Sequence, residues 1–170
     1  MWRYRGQQRP DFASVPGPGQ ESVWDYPRPP VLVADARLVE VRDQGVLIAR
    51  TRAAQRVLET ASPPTFYLPR SDVDLSHLVA IAGHSRCEWK GVASYWALIS
   101  DPDQGAIGWS YEEPDEAFEA LRGALSFYPA RLDCRVDGEP VRAQPGGFYG
   151  GWVTAEIVGP FKGEAGTGNW

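Results

Sequence analysis

The sequence predicts a β-rich α+β domain, a strongly bent antiparallel sheet carrying about three short helices. Three observations lead there. Short β-branched or alternating stretches recur along the chain, tight-turn signals separate them, and only three stretches carry a helical start or stripe. At 170 residues the chain makes one domain large enough to bury a core. It divides into a Pro-rich arm (1–30), a core (31–142) and an extended C-terminal tail packed on that core (143–170).

Composition narrows the function. A net charge of −5 argues against nucleic acid as an obligate partner. No apolar run approaches the roughly 20 residues of a membrane helix, so no membrane partner is expected. The N-terminal Met-Trp-Arg-Tyr-Arg-Gly lacks the apolar centre of a signal peptide. Two cysteines without a secretion signal fit a reducing, cytoplasmic setting with free thiols.

In chain order, the arm carries Pro10, Pro16, Pro18, Pro27, Pro29 and Pro30, which favour extended and turn conformations. Trp2, Phe12, Trp24 and Tyr26 interrupt it, so it is expected to lie over the domain and bury its rings, or to cross a partner subunit in a homodimer. Residues 37–50 read as a hairpin around the three-residue loop Asp43-Gln44-Gly45. Thr51 is placed to cap a short helix with Ala53, Ala54, Val57 and Leu58 on one face, ended by Pro63-Pro64. Thr65 to Leu68 reads as a strand. Ser71 and Asp74 resemble a capping box for a second helical turn, a reading preferred over Mg²⁺ binding by the Asp72-x-Asp74 pair. Ala106 to Tyr111 follows a turn as a strand. Pro114, Asp115 and Glu116 open a third helix with Phe118, Leu121 and Leu125 as its stripe, and Phe127-Tyr128-Pro129 closes it. Arg131 to Val136 reads as a strand with Leu132, Cys134 and Val136 on one face, turned by Asp137-Gly138. The Gly-rich tail repeats Phe148, Tyr149, Trp152, Ile157 and Phe161, and so is expected to pack.

Chemistry concentrates in His84 to Trp96, HSRCEWKGVASYW, just before and within a strand-like run. If the chain is extended from Cys87, then Cys87, Trp89, Ala93 and Tyr95 share one face; Lys90 points away unless Gly91 marks a bulge. Arg86, Lys90 and His84 are placed to lower the Cys87 pKa, and His84 is the local candidate base for a nucleophilic thiolate. The competing reading makes Cys87 a small hydrophobe and stacks Lys90 on a tryptophan. An ammonium among Trp89, Tyr95 and Trp96 is costly to desolvate without an anion, which favours ligand binding by Lys90. Arg70 is a second candidate anion contact, and Trp89, Tyr95, Trp109 and Tyr111 are candidate pocket walls. His77 reads as structural.

The string Cys87-Glu88-Trp89-Lys90-Gly91, with Ala93 and Tyr95-Trp96 behind it, resembles the Cys-Pro-Trp-Lys-Gly signature of the bacterial and fungal domain-of-unknown-function 427 family. Arg56-Val-Leu-Glu-Thr, Pro63-Pro64 with Tyr67-Leu-Pro-Arg70, Trp109-Ser-Tyr111, Phe127-Tyr128-Pro129, Gly-Gly-Phe-Tyr-Gly-Gly-Trp152 and Ile157-Val-Gly-Pro-Phe-Lys162-Gly resemble it in the same order. Glu88 stands where that family usually has proline, which leaves the loop less constrained. The resemblance implies a compact, tent-like antiparallel fold similar to zinc-bearing β folds, whose members commonly hold zinc with two Cys-x-x-Cys knuckles. This chain has no such pair: His84, Cys87 and Cys134 offer three ligands where a closed zinc site wants four, so neither metal nor cofactor is expected. The family's nucleotidyltransferase label has no phosphate-cradling loop behind it here, because no Lys-Ser/Thr follows the Gly-rich tail. The function expected is a binding or catalytic pocket for a small, anionic molecule built on Cys87 to Gly91. The alternatives are a non-catalytic interaction module and the nucleotidyltransferase of the family label.

Overall fold

A computed structural model describes all residues, 1–170. Its strands are β1 (Glu21–Ser22), β2 (Val31–Asp35), β3 (Val39–Asp43), β4 (Val46–Thr51), β5 (Ala54–Leu58), β6 (Thr65–Tyr67), β7 (Leu78–Cys87) and β8 (Gly91–Leu98). After them come β9 (Gly108–Ser110), β10 (Leu125–Phe127), β11 (Asp133–Val136), β12 (Glu139–Pro140), β13 (Arg142–Ala143), β14 (Trp152–Val153) and β15 (Ile157–Val158). The protein is β-rich, as the turn spacing predicts. The single bent sheet is instead several open ladders: β10-β9-β8-β7, β12-β11-β3-β4, β2-β5-β6 and two short pairs, of which β1-β15 is parallel.

Three short helices are not what forms. One six-residue helical segment, Glu116–Leu121, and four three-residue 3₁₀ turns replace them. At residues 51–58 Thr51 accepts a hydrogen bond from the Ala53 N–H at 2.9 Å, as a cap would. The chain then extends as β5 between β2 and β6. Five residues of mixed character satisfy either period, and two ladders of backbone hydrogen bonds outweigh alanine's weak helical preference. Asp74 does not close a box with Ser71. It caps the turn Leu75–His77 by accepting from the Ser76 N–H at 3.1 Å, while Asp72 accepts from the Thr51 hydroxyl at 2.6 Å. Leu125 belongs to β10, where it pairs with Ser110 and exchanges backbone hydrogen bonds with Leu68.

The hairpin β3–β4 closes more tightly than expected. Asp43 pairs with Val46, leaving Gln44-Gly45 as a two-residue turn with φ of 47° and 82°. Positive φ at both positions matches the right-handed twist of the strands, and Gly45 adopts it without strain. The main core lies where these ladders face each other. Val39, Val41, Ile48, Leu68, Leu125, Phe127 and Trp152 are all buried in it, with the Leu132, Cys134 and Val136 face of β11. Burial pushes the Cys134 thiol pKa well up, so it is a packing group.

The arm and tail close on each other. β1 runs beside β15, and the fully buried Trp24 ring meets Tyr4, Phe12 and Trp170 at centroid distances of 5.1, 5.2 and 5.2 Å. Asp35, at the end of β2, is 8% exposed. Burial alone would raise its pKa, but hydrogen bonds from the Arg37 side chain and N–H, with the charge of Arg56, hold it below the usual range. A depressed folded pKa contributes stability that is present above roughly pH 4 and lost as pH falls through the folded value. Asp35→Asn is therefore expected to lower stability at pH 7 and to flatten its decline as pH falls below about 4, read from urea midpoints at each pH. Parallel wild-type and variant curves would refute this.

Candidate functional site

The β7–β8 hairpin builds the centre of the site. Cys87 pairs with Gly91, so Glu88, Trp89 and Lys90 form the turn between the strands. Gly91 has φ of 102°, a region that L side chains rarely adopt. The Lys90 carbonyl accepts from the Asp115 N–H at 3.0 Å, which fixes the turn against the neighbouring segment. This bend re-aims Lys90. Its ammonium does not point away from Cys87 but donates to the Cys87 sulfur at 3.1 Å, and lies 5.8 and 5.9 Å from the Tyr111 and Phe118 ring centres.

Around that pair opens a cleft of about 570 Å³. Cys87, Trp89, Lys90, Tyr95, Trp109 and Tyr111 all line it, so six of the sequence-predicted residues converge although they come from β7, β8, β9 and two loops. Tyr67 is fully enclosed beneath them, its hydroxyl accepting from the Trp109 indole at 3.2 Å. Burial raises the pKa of Tyr67 and Tyr111 and pushes Tyr128 up to about 12, so these phenols are neutral walls. Burial works against the charge of Lys90, but the polar groups that face it, the Tyr67 hydroxyl, the Cys87 sulfur that accepts its hydrogen bond and Glu59, favour the charged form and hold the pKa above the ordinary lysine value.

Two predicted residues lie elsewhere. His84 is three positions from Cys87 along β7, an odd separation that puts the two side chains on opposite faces. It is exposed, and its Nδ1 lies 3.1 Å from the Ala93 carbonyl, so it is not placed as a base for Cys87. Arg70 forms a two-pronged ion pair with Glu112 at 3.0 Å on each arm and stacks 5.2 Å from the Trp96 ring; it does not line the cleft. Cys134 lies in the main core while Cys87 borders the second cluster, and no three His, Cys, Asp or Glu side chains converge on a metal-sized site.

The tail and arm supply residues to which sequence reasoning gave no role. Lys162 is 4% exposed and lines the same cleft, its Nζ 3.9 Å from the Trp2 ring centre and 5.5 Å from that of Tyr149. Glu59, on the cleft wall, accepts from Arg28 at 3.1 Å and from the Trp89 indole at 3.3 Å. A compositional signal was available. The chain has only two lysines beside fifteen arginines, and both lysines line one cleft.

Fold and site together define a β-rich protein with an aromatic cleft holding two buried ammonium groups. The family model described as Domain of unknown function (DUF427) matches residues 31–138, and the chain belongs to that family. No curated protein matches the chain. Trp2, Tyr149 and Lys162 lie outside the matched span, so the cleft is completed by arm and tail. No helix is long and apolar enough to cross a membrane.

Proposed function

We propose that the cleft binds a small anionic molecule, with Lys90 as the cation that holds its charged group and Trp89, Tyr95, Trp109 and Tyr111 as the walls that exclude water. One observation carries the reading. Both lysines of the chain are buried, at 8% and 4% exposure, both line this cleft, and neither is paired with a carboxylate. A buried ammonium with no carboxylate bonded to it is free to make a charge-assisted contact with an anionic ligand, and such a contact is strong where water is excluded. Lys90 keeps its proton and so keeps its charge for that ligand. The nucleotidyltransferase reading has less support: Asp72 and Asp74 bond to Thr51 and Ser76, and neither lines the cleft.

A thermal-shift screen of small carboxylates, phosphates and sulfonates tests the reading. A ligand at a hundred times its Kd should stabilise the protein by about 2.7 kcal/mol, whereas an interaction module should respond to none. Lys90→Met locates the contact. Methionine retains the apolar stem, and the Lys90 Nζ donates to a sulfur rather than to a carboxylate, so no ion pair is broken. The variant is expected to melt at or above the wild-type temperature and to bind the anion roughly ten- to a hundredfold more weakly. A large loss of melting temperature would make Lys90 a structural residue and sink this assignment.

A further inference from the structure

The two lysines are chemically identical and differently housed. Lys90 donates to Cys87. Lys162 makes no hydrogen bond or ion pair through its Nζ; Trp2 and Tyr149 flank it, and both rings belong to the cleft wall. The Arg28 guanidinium, itself fully buried, lies 4.3 Å from the centre of the same Trp2 ring. Arg28 is spent on Glu59 and on the carbonyls of Tyr4, Thr60 and Trp170, so it is a fixed positive charge rather than a free anion contact.

We propose that Lys162 is a nucleophilic amine that forms an imine with the carbonyl group of a small aldehyde or oxo acid admitted to this cleft. The anionic group of that molecule is assigned to Lys90, a part that rests on the function proposed above. Enclosure in an apolar site and a neighbouring cation are the two devices that free a lysine amine of its proton, and Lys162 has both. Burial first, and the Arg28 charge second, lower the Lys162 pKa, with Glu59 and Glu88 opposing. Environments that drive two like groups apart assign them different tasks: an ammonium that keeps its proton as the anchor at Lys90, and at Lys162 one that gives its proton up more readily to become the nucleophile. In the step itself, the Nζ lone pair attacks the carbonyl carbon and the π pair moves to oxygen. The carbinolamine then loses that oxygen as water, which carries away both amine protons and leaves the C=N bond. No oxidant or reductant enters.

The two-lysine composition makes the test direct, because Lys90, Lys162 and the Met1 amine are the only primary amines in the chain. The full chain is incubated at pH 7 with glyoxylate, or with neutral propionaldehyde, in the presence of cyanoborohydride, and reduced adducts are mapped by peptide mass. Glyoxylate is expected to label Lys162 in clear excess over Lys90, since the lowered pKa of Lys162 leaves more of its amine free and the raised pKa of Lys90 leaves less. Lys90→Met should reduce glyoxylate labelling at Lys162 and leave propionaldehyde labelling unchanged. Lys162 labelled by neither aldehyde, or no more than Lys90, overturns the imine. Equal labelling of Lys162 by the two aldehydes, unaffected by Lys90→Met, retains the nucleophile and overturns the anion anchor. The assignment of Lys162 is read on wild-type protein and so depends on no variant's folding.

Discussion

Arg28→Ala is expected to destabilise the protein by about 3–5 kcal/mol, the cost of breaking a buried charge network by removing one partner. The Arg28 side chain is 0% exposed. It donates to the Glu59 carboxylate and to the carbonyls of Tyr4, Thr60 and Trp170, at 3.1, 3.0, 2.8 and 2.8 Å. One side chain thus ties the start of the arm, the end of β5 and the last residue of the chain together. Alanine leaves three carbonyls and a half-buried carboxylate without that donor, and frees the Trp2 ring from its cation. Against a typical net stability of about 5–15 kcal/mol, the loss is a large fraction. Urea unfolding measures it. Arg28→Lys should recover only part of the loss, because a point charge cannot reproduce a fork of donors. A change below about 1 kcal/mol would show that the arm is not held through Arg28.

Trp152→Ala should cost a comparable amount, about 3–5 kcal/mol, and lower the melting temperature by roughly 6–20 °C. Trp152 is fully buried in the main core, stacks on Phe66 at a centroid distance of 4.8 Å and donates its indole N–H to the Phe127 carbonyl at 2.9 Å. Alanine removes the stacking, opens a cavity between Phe66 and Phe127 and leaves that carbonyl short of a donor. Cutting the chain before Gly146 removes Trp152 together with Ile157 and Lys162, and should cost more than the single substitution. Calorimetry of both proteins decides the matter. An unchanged melting curve for the truncated chain would mean that the tail is not part of the cooperative unit.

Local signals were the legible part of this sequence. The existence of the β3–β4 hairpin, though not the length of its turn, the turn at Asp137-Gly138 and the alternating face of β11 each follow from a few adjacent residues. Where a stretch satisfies two periods, its neighbours in space decide. Residues 54–58 became a strand because β2 and β6 flank them, and Leu125 left the expected helix because Ser110 and Leu68 offered it partners. Neither set of partners is close in sequence.

The site divides in the same way. Cys87, Trp89 and Lys90 declare themselves because a hairpin turn keeps them within four residues, and the direction of Lys90 hinges on the one glycine beside it. Proximity along the chain suggests His84, and a cation just after the Tyr67-Leu-Pro stretch suggests Arg70; the odd spacing on β7 and the ion pair with Glu112 take them out. Lys162, Trp2 and Glu59 are separated by up to 160 residues and share no local pattern. The sequence alone determined that the chain keeps only two lysines and sets each among aromatic residues. Only the packing of arm against tail decided that both ammonium groups face one cleft, since desolvation and charge–charge coupling depend on distance in space and not along the chain.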